Sequence, residues 1–107
     1  MAEVTRHEII WTEPALAELD EIADYIALDD PQAARGLVQR VFAHVTQLAD
    51  HPASGSKPPE LKGWRYRQII EPPCRGFYRV DAGKVVILYV MRSEQLLRSS
   101  HLTDRGP

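Results

Sequence analysis

One cysteine, Cys74, stands in the whole chain, so no internal disulfide can form. A chain without disulfides fits the reducing cytoplasm. No apolar run approaches the ~18 residues that a membrane-spanning helix needs. The opening residues, Met1 to Glu8, lack the basic start and apolar stretch of a signal peptide. These absences point to a cytoplasmic protein with no membrane partner. The four histidines, His7, His44, His51 and His101, are scattered without ligand spacing. Zinc takes about four converging ligands, so neither a metal nor another cofactor is expected. There is no glycine-rich phosphate loop, no Gly-x-Ser-x-Gly turn and no internal repeat. Cys74 follows Pro72 and Pro73 at a strand entry and reads as a packing residue, because a thiol nucleophile needs a nearby base and a depressed pKa.

Basic residues are also scarce at one end. Residues 1–33 hold nine acids and a single base, Arg6, whereas residues 34–107 hold twelve Lys and Arg against six acids. The formal net charge of −2 conceals this division. Charge asymmetry of this kind marks interaction surfaces and says little about fold. The sequence pI of about 6.1 argues against strong general affinity for nucleic acid. A length of 107 residues with 44% apolar content fits one domain spanning residues 1–107 with a modest core.

Residues 4–11, ending in Ile9, Ile10 and Trp11, read as a first strand. Thr12 and Pro14 then form a helix start, with threonine as the cap and proline tolerated in the first turn. Leu16, Leu19, Ile22, Ala23 and Ile26 recur at helical spacing, and the helix stops near Leu28. Asp30 and Pro31 repeat the cap-and-proline pattern. Ala34, Leu37, Val38, Val41, Phe42, Val45 and Leu48 make the second apolar stripe. Two such helices joined by a few residues predict an antiparallel hairpin. Three prolines and two glycines make residues 50–63 a loop without regular structure.

Three strands follow between Trp64 and Arg92, the last two joined by a tight turn at Asp81-Ala82-Gly83-Lys84. Strict alternation places Arg75, Phe77 and Arg79 on one face with Val86, Leu88, Val90 and Arg92. The opposite face then holds Tyr78, Val80, Val85, Ile87, Tyr89 and Met91, apolar enough to cover the helix pair. The expected fold is α+β, in the order β-α-α-β-β-β. The helix hairpin lies on one face of a small, mostly antiparallel sheet, and a polar tail begins at Ser93. A sheet face carrying several guanidiniums suggests contact with something anionic. The plain structural alternative is that Arg79 pairs with an acid at a strand edge. Arg65 and Arg67 would then only keep an edge strand soluble.

The pattern resembles the RelE/ParE superfamily of toxins from bacterial toxin–antitoxin pairs. The matching pieces are Trp11 to Ile26, Asp30 to Ala34, Leu48 to Pro52 with Gly55, Arg75 to Val80, and Val85 to Val90. The resemblance implies a type II toxin that is silenced by a cognate antitoxin, in a toxin–antitoxin hetero-oligomer. Two activities compete within it. ParE-like members inhibit DNA gyrase, and RelE-like or YoeB-like members are metal-independent endoribonucleases that cut mRNA on the ribosome. RNA cleavage requires a base, an acid and cations around the phosphate. Arg75 matches the arginine that opens the interferases' third strand, with Arg67 and Arg92 as further cations. Ser54 stands where the YoeB-like pattern has an acid, no tyrosine follows Tyr89, and no base–acid pair is evident. The ending from Val90 to Leu102, with Arg92, Arg98 and His101, resembles a ParE ending more closely. Arg65, Arg67, Arg75, Arg79, Arg92 and Arg98 are therefore the candidate surface for the target or the antitoxin, and no catalytic residue is assigned. A decayed toxin that only binds its antitoxin is the third reading.

Overall fold

The computed structural model describes residues 6–103. Its elements run β1 (Glu8–Trp11), α1 (Glu13–Ala27), α2 (Pro31–Gln47), a 3-10 turn (Pro59–Leu61), β2 (Arg67–Glu71), β3 (Cys74–Asp81), β4 (Lys84–Arg92) and α3 (Ser100–Thr103). The strands form one sheet in the order β1-β4-β3-β2. β1 runs parallel to β4, and the other two pairings are antiparallel. The fold is α+β in the expected order.

The helices begin where their side chains satisfy the orphan amides of the first turn. The Thr12 hydroxyl accepts from the Ala15 N–H at 3.3 Å and donates to the Ile87 carbonyl at 2.9 Å. The cap is therefore also a clamp between α1 and β4. The Asp30 carboxylate accepts from the Ala33 N–H at 3.0 Å. Pro14 and Pro31 occupy first-turn positions, where a missing N–H costs nothing.

The sheet is buried on both faces. On one face, Ala15, Leu19, Leu37, Val41, Val45 and Leu48 of the helix pair pack on Ile69, Cys74, Tyr78, Val85, Ile87 and Val90. On the other, Phe77, Val86, Leu88 and Met91 pack with Leu61, Tyr66, Leu97 and Leu102.

Strict alternation fails in β4. Tyr78 pairs with Ile87 and Phe77 with Tyr89, which leaves Leu88 as an extra residue. Such a bulge reverses the faces of everything beyond it. Val90 thus packs against the helices, while Tyr89 and Met91 belong to the opposite cluster, each the reverse of the expected side. Arg92 moves with them. It lies over the Tyr25 ring of α1, 5.4 Å from the centroid, on the face away from Arg75 and Arg79.

Three boundaries also differ. β1 begins at Glu8, and residues 4 and 5 of the expected strand lie outside the described residues. The loop at 50–63 contains the 3-10 turn, for which Pro59 supplies the helical φ. The tail from Ser93 is not simply polar, because it folds back and buries Leu97 and Leu102. At the β3–β4 turn both Ala82 (φ 45°) and Gly83 (φ 82°) take positive φ, the twist that matches the flanking strands.

Candidate target-binding surface

The six arginines singled out by the sequence divide into buried and surface groups. β3 turns Arg75 and Arg79 onto the face opposite the helices, and both are nearly buried, at 8% and 7% exposure. Arg75 is gripped from several sides. Its Nη1 and Nη2 each lie 2.8 Å from a carboxylate oxygen of Glu60, and its Nε donates to Gln68 Oε1 at 2.9 Å. Its guanidinium also lies over the Phe77 ring, 4.9 Å from the centroid. Arg79 donates from Nε to Asp81, and Arg65 reaches the same carboxylate at 3.0 Å.

The carboxylates record these contacts. The Glu60 carboxyl is pulled down to about 2, chiefly by its hydrogen bonds from Arg75. Asp81 is lowered by its hydrogen bond from Arg79 and by the charge of Arg65. Arg67 is on the helix side, where Nη1 donates to the Gly55 carbonyl at 2.8 Å.

Arg92 and Arg98 are the exposed members at the strand end and tail. Arg92 makes a solvent-facing pair with Glu94 at 2.8 Å. It also borders an apolar cleft of about 260 Å³ with Glu21, Ile22, Tyr25, Ile26 and Pro73. The Arg98 backbone N–H donates to His101 Nδ1 at 3.1 Å, and the His101 ring stacks on Tyr89 at 4.6 Å.

These surroundings limit the acid–base chemistry on offer. A carboxyl held near 2 and saturated by a guanidinium is a poor proton acceptor at neutral pH. Burial pushes the Cys74 thiol up to about 11, away from the reactive thiolate. Burial also raises Tyr78, whose phenol donates to the Pro52 carbonyl at 2.8 Å and accepts from the Gly55 N–H at 2.9 Å. Among the described residues, no three His, Cys, Asp or Glu side chains gather as a metal-binding group. No helix among them is long and apolar enough to cross a membrane.

Sequence reasoning missed two members of this region. Glu60 lies in the proline-rich loop, and the signal for it was indirect: an arginine within a buried strand requires a counter-charge. Tyr25 was overlooked because alternation sent Arg92 to the other face.

A helix hairpin on a four-stranded sheet, in the order β-α-α-β-β-β, is the architecture of the RelE/ParE class of toxin folds. A solved chain titled as the chromosomal ParDE toxin–antitoxin system of P. aeruginosa superposes with a TM-score of 0.69 at 30% identity, covering 84% of this chain and 99% of that one. A chain of the RelBE2 toxin–antitoxin complex of Mycobacterium tuberculosis shares the fold at a TM-score of 0.56 and 20% identity, covering 86% and 97%. Residues 9–97 match the ParE toxin of the type II toxin–antitoxin system parDE, and the chain belongs to that family. Y4kP, a candidate toxin of Sinorhizobium fredii, is 41% identical over 92 residues, which is 86% of this chain and 94% of that protein. Toxin RelE2 of Caulobacter vibrioides is 31% identical over 90 residues, covering 83% and 98%.

Proposed function

We propose that this toxin inhibits DNA gyrase in the cytoplasm, acts as one domain over residues 1–107, and is silenced by a cognate antitoxin. The observation that carries the choice of target is the state of Arg75. It is the guanidinium that would stabilise a cleaved phosphate in an mRNA interferase, and Glu60 and Gln68 already occupy it. An anionic substrate would have to displace a bidentate carboxylate from a nearly buried site. The groups beside it do not offer the base and acid that RNA cleavage requires.

Arg92, on the helix side, and Arg98, in the folded-back tail, are where the ParE resemblance puts activity, and both are exposed and open to a protein partner. The solved relatives are titled as toxin–antitoxin systems or complexes, which supports an antitoxin partner here. The purified toxin is expected to block supercoiling of relaxed plasmid by gyrase and to leave ribosome-bound mRNA intact. Arg92→Ala with Arg98→Ala should abolish the block while far-UV circular dichroism stays unchanged. Ribosome-dependent mRNA cuts that vanish with Arg75→Ala would overturn this reading in favour of an interferase.

A further inference from the structure

The carboxylate that occupies Arg75 has a second task. Besides its two contacts to the guanidinium, Glu60 Oε2 accepts from the Leu97 N–H at 3.2 Å. Arg75 Nη1 also reaches the Gln95 carbonyl at 3.4 Å. One ion pair thus holds three parts of the chain together: the 3-10 turn, β3 and the tail after β4. The reversal that brings the tail back is short. Arg92 and Gln95 exchange two hydrogen bonds, from Gln95 N–H to the Arg92 carbonyl at 3.1 Å and from Arg92 N–H to Gln95 Oε1 at 3.2 Å.

Beyond Leu97, the Leu102 side chain is fully buried against the sheet, and His101 stacks on the Tyr89 that the bulge turns to this face. Arg98 stands between these two anchors, with its own N–H bound to His101. Its place on the surface follows from the ion pair on one side and from the stacked ring on the other.

We propose that Glu60 and Arg75 are positioning residues, a latch that fixes the tail over residues 95–103 and so presents Arg98 to the target. Neither residue touches the target in this account. The alternative, in which Arg75 binds an anionic target directly, requires the pair to open. The functional arm rests on the gyrase reading above, whereas the latch itself is a property of the chain and is measured separately.

The test uses the full-length toxin and three variants. Glu60→Gln keeps the shape of the carboxylate and removes its charge. Leu97→Ala loosens the same segment without touching the ion pair. Thr12→Ala removes a cap on the far side of the sheet and serves as a destabilised control. In hydrogen–deuterium exchange, Glu60→Gln should speed the amides of Leu97 and residues 100–103 by about tenfold or more, the scale of one lost charge-assisted hydrogen bond. The amides of α1 and α2 should change less. In the supercoiling assay, Glu60→Gln and Leu97→Ala should each raise the half-inhibitory concentration about tenfold relative to Thr12→Ala.

Tail exchange that is unchanged in Glu60→Gln overturns the latch. Equal loss of inhibition in Glu60→Gln and Thr12→Ala overturns it too, because general destabilisation would then account for both. If Glu60→Gln does not fold, Arg75→Lys, which keeps the charge but loses the two-point grip on Glu60, decides by the same two readouts. A wild-type toxin that leaves gyrase unaffected defeats the gyrase reading alone, and the exchange result still decides the latch.

Discussion

Replacing Gly55 by alanine should be among the most damaging single-methyl additions to this molecule. The loop at Gly55 is held from three directions. Its N–H donates to the Tyr78 hydroxyl, its carbonyl accepts from Arg67, and the next residue, Ser56, exchanges two backbone hydrogen bonds with Gln68. A Cβ at position 55 would collide with the Tyr78 hydroxyl and lie 2.6 Å from the Gln68 carbonyl oxygen and 2.7 Å from Tyr78 Cε1. Tyr78 cannot swing aside, because its ring is fully buried in the main core. Overpacking of this kind costs about 3 kcal/mol. Tyr78→Phe fits the same space but leaves the Gly55 N–H and the Pro52 carbonyl without their partner, for about 2 kcal/mol.

The two changes should not add. Removing the hydroxyl removes one of the colliding atoms, so the double variant should lose at least about 1 kcal/mol less than the two costs together. Urea unfolding followed by circular dichroism measures all four species, and each kcal/mol should lower the melting temperature by about 4 °C. A Gly55→Ala protein that unfolds at the wild-type urea concentration would refute the reasoning. So would costs that are strictly additive, because they would mean that the loop and the ring do not share this space.

Two further outcomes are expected. Ala82→Asn should stabilise the toxin by about 0.5–1 kcal/mol, because asparagine tolerates the positive φ of 45° that alanine adopts with strain; a thermal melt at or below wild type would contradict this. Stability should also fall in acid. Glu60 is held at about 2 against an ordinary 4.5, so its contribution, at most about 3 kcal/mol, is complete above pH 4.5 and lost as pH falls through 2. The stability gap between wild type and Glu60→Gln should close over that range, and a gap of constant size would count against the assignment.

The helices were legible because their signals are local. Thr12 with Pro14, and Asp30 with Pro31, mark helix starts through hydrogen bonds that each chain segment makes with itself. The apolar stripes behind them needed only the helical period. The sheet was legible as strands and not as faces. Val85 to Met91 are apolar on both sides because both faces are buried, so nothing in the run marks the extra residue at Leu88. Arg92 was therefore assigned to the wrong face, by one residue of parity. The tail hid for a related reason. Leu97 and Leu102 are five apart, a spacing that fits no single period, nothing in the sequence tells the buried Leu97 from the exposed Leu96 beside it, and their burial depends on a sheet surface distant in sequence. Arg75 and Arg79 were visible as charges within strands. Arg79 pairs with Asp81, two residues on at the end of the same strand, as the plain structural alternative expected, whereas Glu60 becomes the partner of Arg75 only through the fold.

The parallel pairing of β1 with β4 has a consequence in time. Glu8 lies beside Lys84 and Trp11 beside Ile87, so the first strand waits for almost the whole chain before it has a neighbour. The Thr12 clamp closes on Ile87 and waits equally long. While the ribosome is still making the chain, α1 and α2 can form and touch, but the sheet that buries their apolar faces does not yet exist. Contacts of such long sequence separation form slowly even in a finished chain. The native toxin thus closes only when β4 arrives, and a chain that stops short of β4 keeps the β2–β3 pair beside α2 but leaves α1 and β1 without the strand they rest on.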